Sequence, residues 1–172
     1  PYGVYDLSRD EGWVSVGIDH DTASFSVNAI RSWWQRMGRP VYGGVSRLLI
    51  TADAGGSNSP RTRLWKWELQ KFANRTGLSI TVCHYPPGTS KWNKIEHRLF
   101  SYIAKNWRGK PLVSLSTIVT LGSTTTQVGL RVRSEIDKRS YPKGVTVSDQ
   151  QMDQVSLKRH DFHGDWNYTI RP

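Results

Sequence analysis

The stretch that constrains the fold most is RLLITAD, residues 47–53, because it is almost entirely apolar and ends in a carboxylate. Such a run is typical of a strand in a parallel sheet that is covered on both faces. A glycine-rich loop, residues 55–58, follows, and then Ser59 and Pro60, which suit the N-cap and first turn of a helix. Asp53 is therefore predicted at the carboxyl end of a strand, where ligands bind in open α/β sheets.

Two other short runs have the character of strands. In GWVSVGID, residues 12–19, the residues alternate between two faces, and SITVCHY, residues 79–85, precedes a Pro-Pro-Gly turn. Apolar spacing and capping residues predict three helices, over residues 22–37, 60–76 and 91–107. The order β-α-β-α-β-α indicates an α/β domain with a largely parallel central sheet.

Capping residues set the predicted helix ends. Asp21 or Thr22 caps the first helix, and Gly38 and Pro40 end it. Gly77 ends the second helix. The third begins after a cap at Ser90 and runs to Trp107.

The last third of the chain carries weaker signals. Residues 114–126 are a candidate helix with a high content of Thr and Val, Ser148 is a candidate cap for a short helix, and DWNYTI is a candidate strand or extended arm. A length of 172 residues suits one domain. We expect an α/β core over residues 12–108 and a C-terminal extension, residues 109–172, that packs on it.

The charge balance favours a polyanionic partner. Lys and Arg number 24 against 14 Asp and Glu, a formal net charge of +10. Cys83 is the only cysteine, which excludes an intrachain disulfide and favours a reducing compartment. No apolar run approaches the ~20 residues of a membrane helix, and no secretory signal is visible. The lack of an initiator Met leads us to expect a fragment.

Glu96 occupies an unusual position on the third helix. It shares a face with apolar residues three, four and seven positions later, Leu99, Phe100 and Ile103. A charged side chain on such a stripe costs several kcal/mol, as an order of magnitude, unless it is paired or bound to metal. Its alternative role is an ordinary ion pair at the edge of the stripe, with Lys94, His97 or Arg98.

Asp53 and Glu96 together are more informative than either alone. A carboxylate at a strand end and another two elements later can converge over the edge of the sheet. Oxygen ligands with few nitrogen or sulfur partners suit Mg²⁺ or Mn²⁺ rather than zinc. In a basic protein, such a pair suggests two metal ions about 4 Å apart acting on a phosphodiester.

Basic residues surround Glu96 on the predicted helix. Those expected to contact DNA phosphates are Lys91, Lys94, Arg98 and Lys105, with Arg108 beyond them. Trp92 and Trp107 are interleaved with them, available to stack on a base or to pack in the core. The alternative for the basic residues is a solvated helix face. Asn93 is expected to orient Glu96, to contact a phosphate, or to cap the helix.

Two other groups of polar residues have metal-ligand chemistry. Cys83, His84 and His97 are better explained as a buried thiol and turn-side histidines. His160, Asp161, His163 and Asp165 fit no standard zinc spacing, so a polar loop is the prediction there.

Several segments resemble a known family. ITADAGGSN, SKWNKIEHRLF and HGDWNYTI are similar to the Rhodopirellula-type transposases of bacterial insertion sequences, and the resemblance extends over nearly the whole chain. Residues 85–100 also resemble the signature around the third acid of mariner-like transposases. The resemblance implies a three-layer ribonuclease-H-like α/β domain with a mixed, largely parallel central sheet and an Asp-Asp-Glu metal site.

Position by position, the resemblance makes Asp53 the second acid and Glu96 the third, with Asn93 and Asn58 in support. The first acid lies on the first strand of that fold, which is expected upstream of Pro1, with Asp19 as an alternative position within the chain. The fragment alone is therefore expected to be inactive.

The resemblance also implies a reaction and partners. Water would nick the transposon end by in-line attack, and the freed 3′-hydroxyl would join target DNA, with two Mg²⁺ or Mn²⁺ ions. DNA is the expected partner, bound by a homodimer in the bacterial cytoplasm at the nucleoid, without a membrane. The alternatives are a nuclease or resolvase of the same fold and a non-catalytic DNA-binding module.

Overall fold

A computed structural model describes residues 1–108, 119 and 129–172. The strands are β1 (Tyr2–Asp6), β2 (Glu11–Gly17), β3 (Arg47–Asp53), β4 (Ser79–Tyr85), β5 (Arg131–Asp137), β6 (Leu157–Arg159) and β7 (Asn167–Ile170). The α-helices are α1 (Ala23–Trp33), α2 (Arg39–Tyr42), α3 (Arg63–Thr76), α4 (Ser101–Trp107) and α5 (Asp149–Asp153). Two π-helical segments, Trp34–Gly38 and Glu96–Phe100, precede α2 and α4 directly.

The strands form two mixed sheets. One has the order β1-β2-β5 and the other the order β3-β4-β7-β6. The pairs β2–β5 and β3–β4 are parallel, whereas β1–β2, β4–β7 and β6–β7 are antiparallel. The α/β class and the mixed character of the sheets are confirmed, but the described strand pairs are not largely parallel. Three strands of the predicted C-terminal extension, β5, β6 and β7, belong to these sheets.

Helices cover the strands on two sides. Trp13 of β2 belongs to a core cluster built largely from α1, α3, β4 and β7. Its neighbour Val14 belongs to a second cluster, with Leu99 and Ile103. These two come from the π-helical segment Glu96–Phe100 and from α4, which together form the Glu96 helix. Because successive side chains of a strand point to opposite faces, α1 and the Glu96 helix lie on opposite sides of β2. The arrangement is therefore three layers deep at this strand.

Three of the predicted caps are present, whereas Ser90 lies inside a 3₁₀ turn and caps no α-helix. Thr22 Oγ1 accepts a hydrogen bond from the backbone N–H of Phe25, and Gly77 ends α3 with a φ of 74°. Ser148 and Gln151 form a reciprocal capping box at the start of α5. Strand β4 has the predicted bounds, and the C-terminal DWNYTI segment contributes β7.

The first helix does not end at Gly38 and Pro40, and that prediction was wrong. The chain continues through the π-helical turn into α2, where the N–H of Arg39 bonds to the carbonyl of Trp34. Pro40 falls in the first turn of α2, where a missing N–H costs little.

The second helix begins later than predicted. Its N-cap is Thr62 rather than Ser59. Ser59 precedes a proline and is extended, with a ψ of 139°, because the proline ring disfavours the helical conformation before it. Ser59 and Pro60 instead form a turn that the N–H of Thr62 closes on the carbonyl of Ser59 at 3.0 Å.

Two further expectations differ from the structure. Strand β3 is covered on one face: Leu48 and Ile50 pack against the core, whereas Leu49 is 63% exposed and no described residue covers it. Strand β1 was not predicted, because its glycine and its short length weaken the strand pattern.

The candidate helix over residues 114–126 lies, except for residue 119, outside the described residues. Across the described ranges, no helix has the length and apolar character needed to span a membrane.

Replacement of Gly77 by alanine should lower the free energy of unfolding by about 1–2 kcal/mol, because an L-residue is strained at positive φ. Gly44→Ala is the matched control, since neither glycine has an atom within 4 Å of an added Cβ and Gly44 has no positive φ. Urea denaturation would measure both changes. Equal stability of the two variants would contradict the assignment of Gly77 as a left-handed cap.

Candidate active site

Asp53 ends β3, where the parallel strand β4 ends beside it, with Asp53 in register with Tyr85. The chain then turns through Gly56, whose φ is 67°, into a short 3₁₀ turn. At the end of this turn, Asn58 Nδ2 donates a hydrogen bond to the main-chain oxygen of Asp53 at 3.2 Å. Asn58 therefore holds the loop against the strand end that carries Asp53.

A buried histidine holds the same main-chain oxygen. His84 Nδ1 lies 3.2 Å from the oxygen of Asp53, which can only accept, so Nδ1 carries the proton. The other ring nitrogen therefore accepts a hydrogen bond from the hydroxyl of Tyr168 at 2.8 Å. The Tyr168 oxygen accepts in turn from the indole N–H of Trp65 at 2.9 Å. A chain of three buried side chains thus anchors the backbone of Asp53.

The side chain of Asp53 is held by a residue of the segment that precedes Glu96. Asn93 Nδ2 donates to Asp53 Oδ1 at 3.2 Å, and Asn93 is only 8% exposed. Asn93 is extended, with a ψ of 118°, between the 3₁₀ turn Ser90–Trp92 and the helical residues that begin at Lys94. The third helix therefore starts three residues later than predicted. The break at Asn93 turns its amide toward Asp53.

Glu96 follows one helical turn after this contact. Its backbone N–H bonds to the carbonyl of Asn93 at 3.2 Å, and it is the first residue of the π-helical segment. Leu99 and Ile103 on the same side are buried, whereas Glu96 is half-buried. Within the described residues its carboxylate forms no ion pair and no hydrogen bond, so the edge ion pair is not formed there.

One cavity of about 640 Å³ brings these groups together. Its lining includes Asp53, Asn58, Asn93 and Glu96, all named from the sequence as site or supporting residues. Lys94 also lines it. The sequence-predicted acids and amides therefore share one cleft.

Two lining residues were missed by sequence reasoning. Burial raises the pKa of Tyr2, the charge of Asp21 raises it further, and Asp53 adds to the same effect. The raised pKa keeps the Tyr2 phenol protonated, and the negative charges of Asp21 and Asp53 both favour that form. Asp21 follows β2 within an Asp-His-Asp sequence, and this cluster after a strand was the available signal.

Asp19 does not reach this cavity. Its Oδ2 accepts hydrogen bonds from the N–H of Tyr141 at 2.7 Å and from Ser140 Oγ at 3.0 Å. These bonds lower the pKa of Asp19, the backbone bond from Tyr141 having the largest effect. Asp19 organises the turn after β5 and is not brought to Asp53.

The predicted DNA-contacting side chains remain on the surface. Lys91, Lys94, Arg98 and Lys105 are all exposed. Trp92 is 59% exposed rather than packed in the core, which leaves its ring free to stack. The side chain of Trp107 lies outside the part of the chain that the structure describes.

The histidine and cysteine groups are dispersed. His84 faces Tyr168, whereas the ring of His97 contacts the carbonyl of Lys91. His160 bonds to Thr169 in β7. Across the described residues, no three His, Cys, Asp or Glu side chains converge as a metal site would require.

Comparison with protein families identifies the family of this chain. The model of the Rhodopirellula transposase DDE domain matches residues 1–172, the whole chain. The chain belongs to this family. No curated protein and no solved structure matches it.

Membership of this family indicates the class of enzyme to which this DDE domain belongs. The family is one of transposases, enzymes of the polynucleotidyl-transferase type whose partner is DNA. The resemblance drawn from the three sequence segments is thereby confirmed.

The buried His84 of this transposase domain should make its stability depend on pH. Burial lowers the pKa of His84 in the folded state, so folding favours the neutral ring. The unfolded chain takes up a proton near the ordinary histidine value of about 6.5, so stability falls as the pH decreases through that value. Urea denaturation at pH 7.5 and 5.5 should show a smaller loss for His84→Gln than for the parent chain.

His97→Gln is the matched control, because it removes an exposed imidazole. It should retain the pH-dependent loss of the parent chain. A loss of equal size in His84→Gln would show that His84 does not resist protonation in the fold.

Proposed function

We propose that this domain cuts and joins DNA by metal-dependent in-line phosphoryl transfer, with Asp53 and Glu96 as two of its metal ligands. The observation that carries the proposal is the shared cavity, in which Asn93 ties Asp53 to the segment that presents Glu96. Membership of a transposase family supports the same reaction.

The donor chemistry fits a hard divalent cation. Asp53 and Glu96 offer carboxylate oxygens. Of these oxygens, only Oδ1 of Asp53 has a hydrogen-bond partner among the described residues. Such oxygens suit Mg²⁺ or Mn²⁺, two ions in the complete site. When bound, the cations would neutralise phosphate charge and favour ionisation of the attacking hydroxyl.

The protein's own residues supply positioning. Asn93 fixes the side chain of Asp53, while Asn58 and His84 fix its main chain. Exposed Lys91, Lys94, Arg98 and Lys105 would hold phosphates on either side of the scissile bond, and Trp92 would stack on a displaced base. Water would attack the scissile phosphorus of a DNA end held in this way, and the P–O3′ bond would break to release the 3′-hydroxyl. That hydroxyl would then attack a phosphorus of target DNA, and the target's own 3′-oxygen would leave. Pairing two transposon ends would bring two copies of the domain together on DNA, within the bacterial cytoplasm.

Removal of either acid should abolish binding of Mn²⁺ measured by calorimetry. The variants are Asp53→Asn and Glu96→Gln, which preserve shape and remove the charged ligand. Asp153→Asn is the matched control, because Asp153 is an exposed acid of α5 outside the cavity. It should bind Mn²⁺ as the parent chain does.

Two outcomes would oppose the proposal. Binding that survives both substitutions would place the metal elsewhere, and loss in Asp153→Asn would indicate a non-specific charge effect. In an assay of the full-length transposase on an oligonucleotide substrate, products longer than the substrate would demonstrate joining. Nicked products alone would favour the nuclease alternative.

We also propose that the fold is ribonuclease-H-like and takes one more strand between its two sheets. Strands β1 and β3 are each the outermost strand of their sheet, and both line the cavity of Asp53 and Glu96. In the described part of the chain, each therefore has one side without a strand partner. The indole nitrogen of Trp33, which also lines the cavity, is buried without a hydrogen-bond partner among the described residues.

A strand in this slot would add the remaining acid. Unpaired strand edges recruit an extended segment through main-chain hydrogen bonds. A strand parallel to β3 would end beside Asp53, because parallel strands end at the same edge of a sheet. We assign it to residues preceding Pro1 in the parent protein, with an acid at its carboxyl end.

Hydrogen exchange can detect the extra strand. In a chain extended upstream of Pro1, amides of β3 that face the slot should exchange at least about tenfold more slowly than in residues 1–172, because strand pairing protects them. Amides of β4, which is already paired on both sides, are the internal control. Unchanged exchange in β3 would refute the inserted strand.

A further inference from the structure

A second cavity, of about 450 Å³, lies between α1, α3 and the residues that follow β5. It shares no lining residue with the cavity of Asp53 and Glu96. From α1 it is lined by Asn28 and Arg31, whereas the first cavity is lined by Ile30 and Trp33 of the same helix. The two cavities therefore use different faces of α1.

Three arginines from separate elements meet at the second cavity. Arg31 comes from α1, Arg75 from the last turn of α3, and Arg139 from the segment after β5. Among the described lining residues the one carboxylate is Glu68, whose Oε1 already accepts from Lys71 Nζ at 2.7 Å and from Ser24 Oγ at 3.2 Å. Arg139 Nη1 lies 3.8 Å from Asp137 Oδ2, so the excess of positive charge at the cavity rests mainly on Arg31 and Arg75.

Arg31 is the most constrained of the three. Its Nε is buried and has no hydrogen-bond partner among the described residues, and neither Arg31 nor Arg75 forms an ion pair there. Burial lowers the pKa of Arg31, and the charge of Arg75 lowers it further. A buried donor without an acceptor is costly, so such a group in a folded protein calls for a partner.

The third arginine is fixed by its neighbours. Asp137 Oδ1 accepts from the backbone N–H of Arg139 at 3.0 Å, and its Oδ2 accepts from Asn28 Nδ2 at 2.8 Å. The hydroxyl of Tyr141 donates to the same carboxylate oxygen. Asp137 thereby joins the segment after β5 to α1, so the cavity is a formed part of the fold.

We propose that the cavity of Arg31, Arg75 and Arg139 binds a phosphate group. Guanidinium groups donate in a planar fork that matches phosphate oxygens, and the anion would supply the acceptor that Arg31 Nε lacks. A phosphodiester of the DNA backbone and a free phosphate ligand share this chemistry. For a DNA source, which rests on the proposed function, the site would anchor the duplex away from the carboxylates.

Calorimetric titration with inorganic phosphate tests the site itself. The double variant Arg75→Gln and Arg139→Gln should raise the dissociation constant for phosphate at least about tenfold, because charge-assisted hydrogen bonds to the phosphate are lost. Both side chains are exposed, so the fold should be retained. Arg31→Lys keeps the charge but removes Nε, and it should weaken binding by a similar factor, which a diffuse positive surface would not do.

The matched control is a double variant, Arg39→Gln and Lys158→Gln, which removes two exposed positive charges outside both cavities. It should change phosphate binding less than about twofold, because distant surface charges are screened by salt. Equal weakening in the control and in the cavity variants would overturn the proposal. So would an absence of phosphate and DNA binding by the parent chain.

A short DNA duplex identifies the source of the phosphate. If it is the DNA backbone, the dependence of binding on salt should lose about one unit of slope per phosphate contact in the cavity variants. If it is a free phosphate ligand, the slope should stay unchanged while phosphate binding is lost. Asp53→Asn should leave phosphate binding intact, so failure of the metal site and failure of this site are distinguishable.

Discussion

A chain of hydrogen bonds from Trp65 through Tyr168 and His84 ends on the main-chain oxygen of Asp53. It links the layer of α3 to β7, β7 to β4, and β4 to the end of β3. Each member is buried, so each donor and acceptor must find its partner inside the protein. The position of Asp53 thus depends on the packing of a helix and two strands, and not on its loop alone.

The second constraint on the site is the bond between Asn93 and Asp53, which joins residues 40 apart in sequence. The helix that the sequence predicts as continuous is interrupted at Asn93, and its helical residues begin directly afterwards at Lys94. A positioned catalytic group needs support of this kind, because small displacements of a reacting geometry cost much activity. Asn93 provides that support from the element that carries Glu96.

Local features were predictable from the sequence. The caps at Thr22, Gly77 and Ser148 depend on residues within one turn, so their side-chain chemistry was sufficient. The placement of Asp53 at a strand end followed from the apolar run before it. The division into two sheets, the strand β1 and the roles of His84 and Asp21 depend on contacts between distant segments. No short-range pattern encodes these contacts, and the sequence pattern therefore assigned His84 to a turn.

The π-helical turn at Glu96–Phe100 has a consequence for how the helix can change. A π turn places one extra residue in a helical turn, which shifts the later side chains by about one residue position, or about 100°, around the axis. The direction of Glu96 is set before this turn by Asn93, whereas the direction of Lys105 is set after it by the buried Ile103. Loss of one residue in the turn would rotate the two halves against each other. The side-chain directions before and after the π turn are therefore set separately. Glu96 faces the cavity that it shares with Asp53, whereas Lys105 faces solvent.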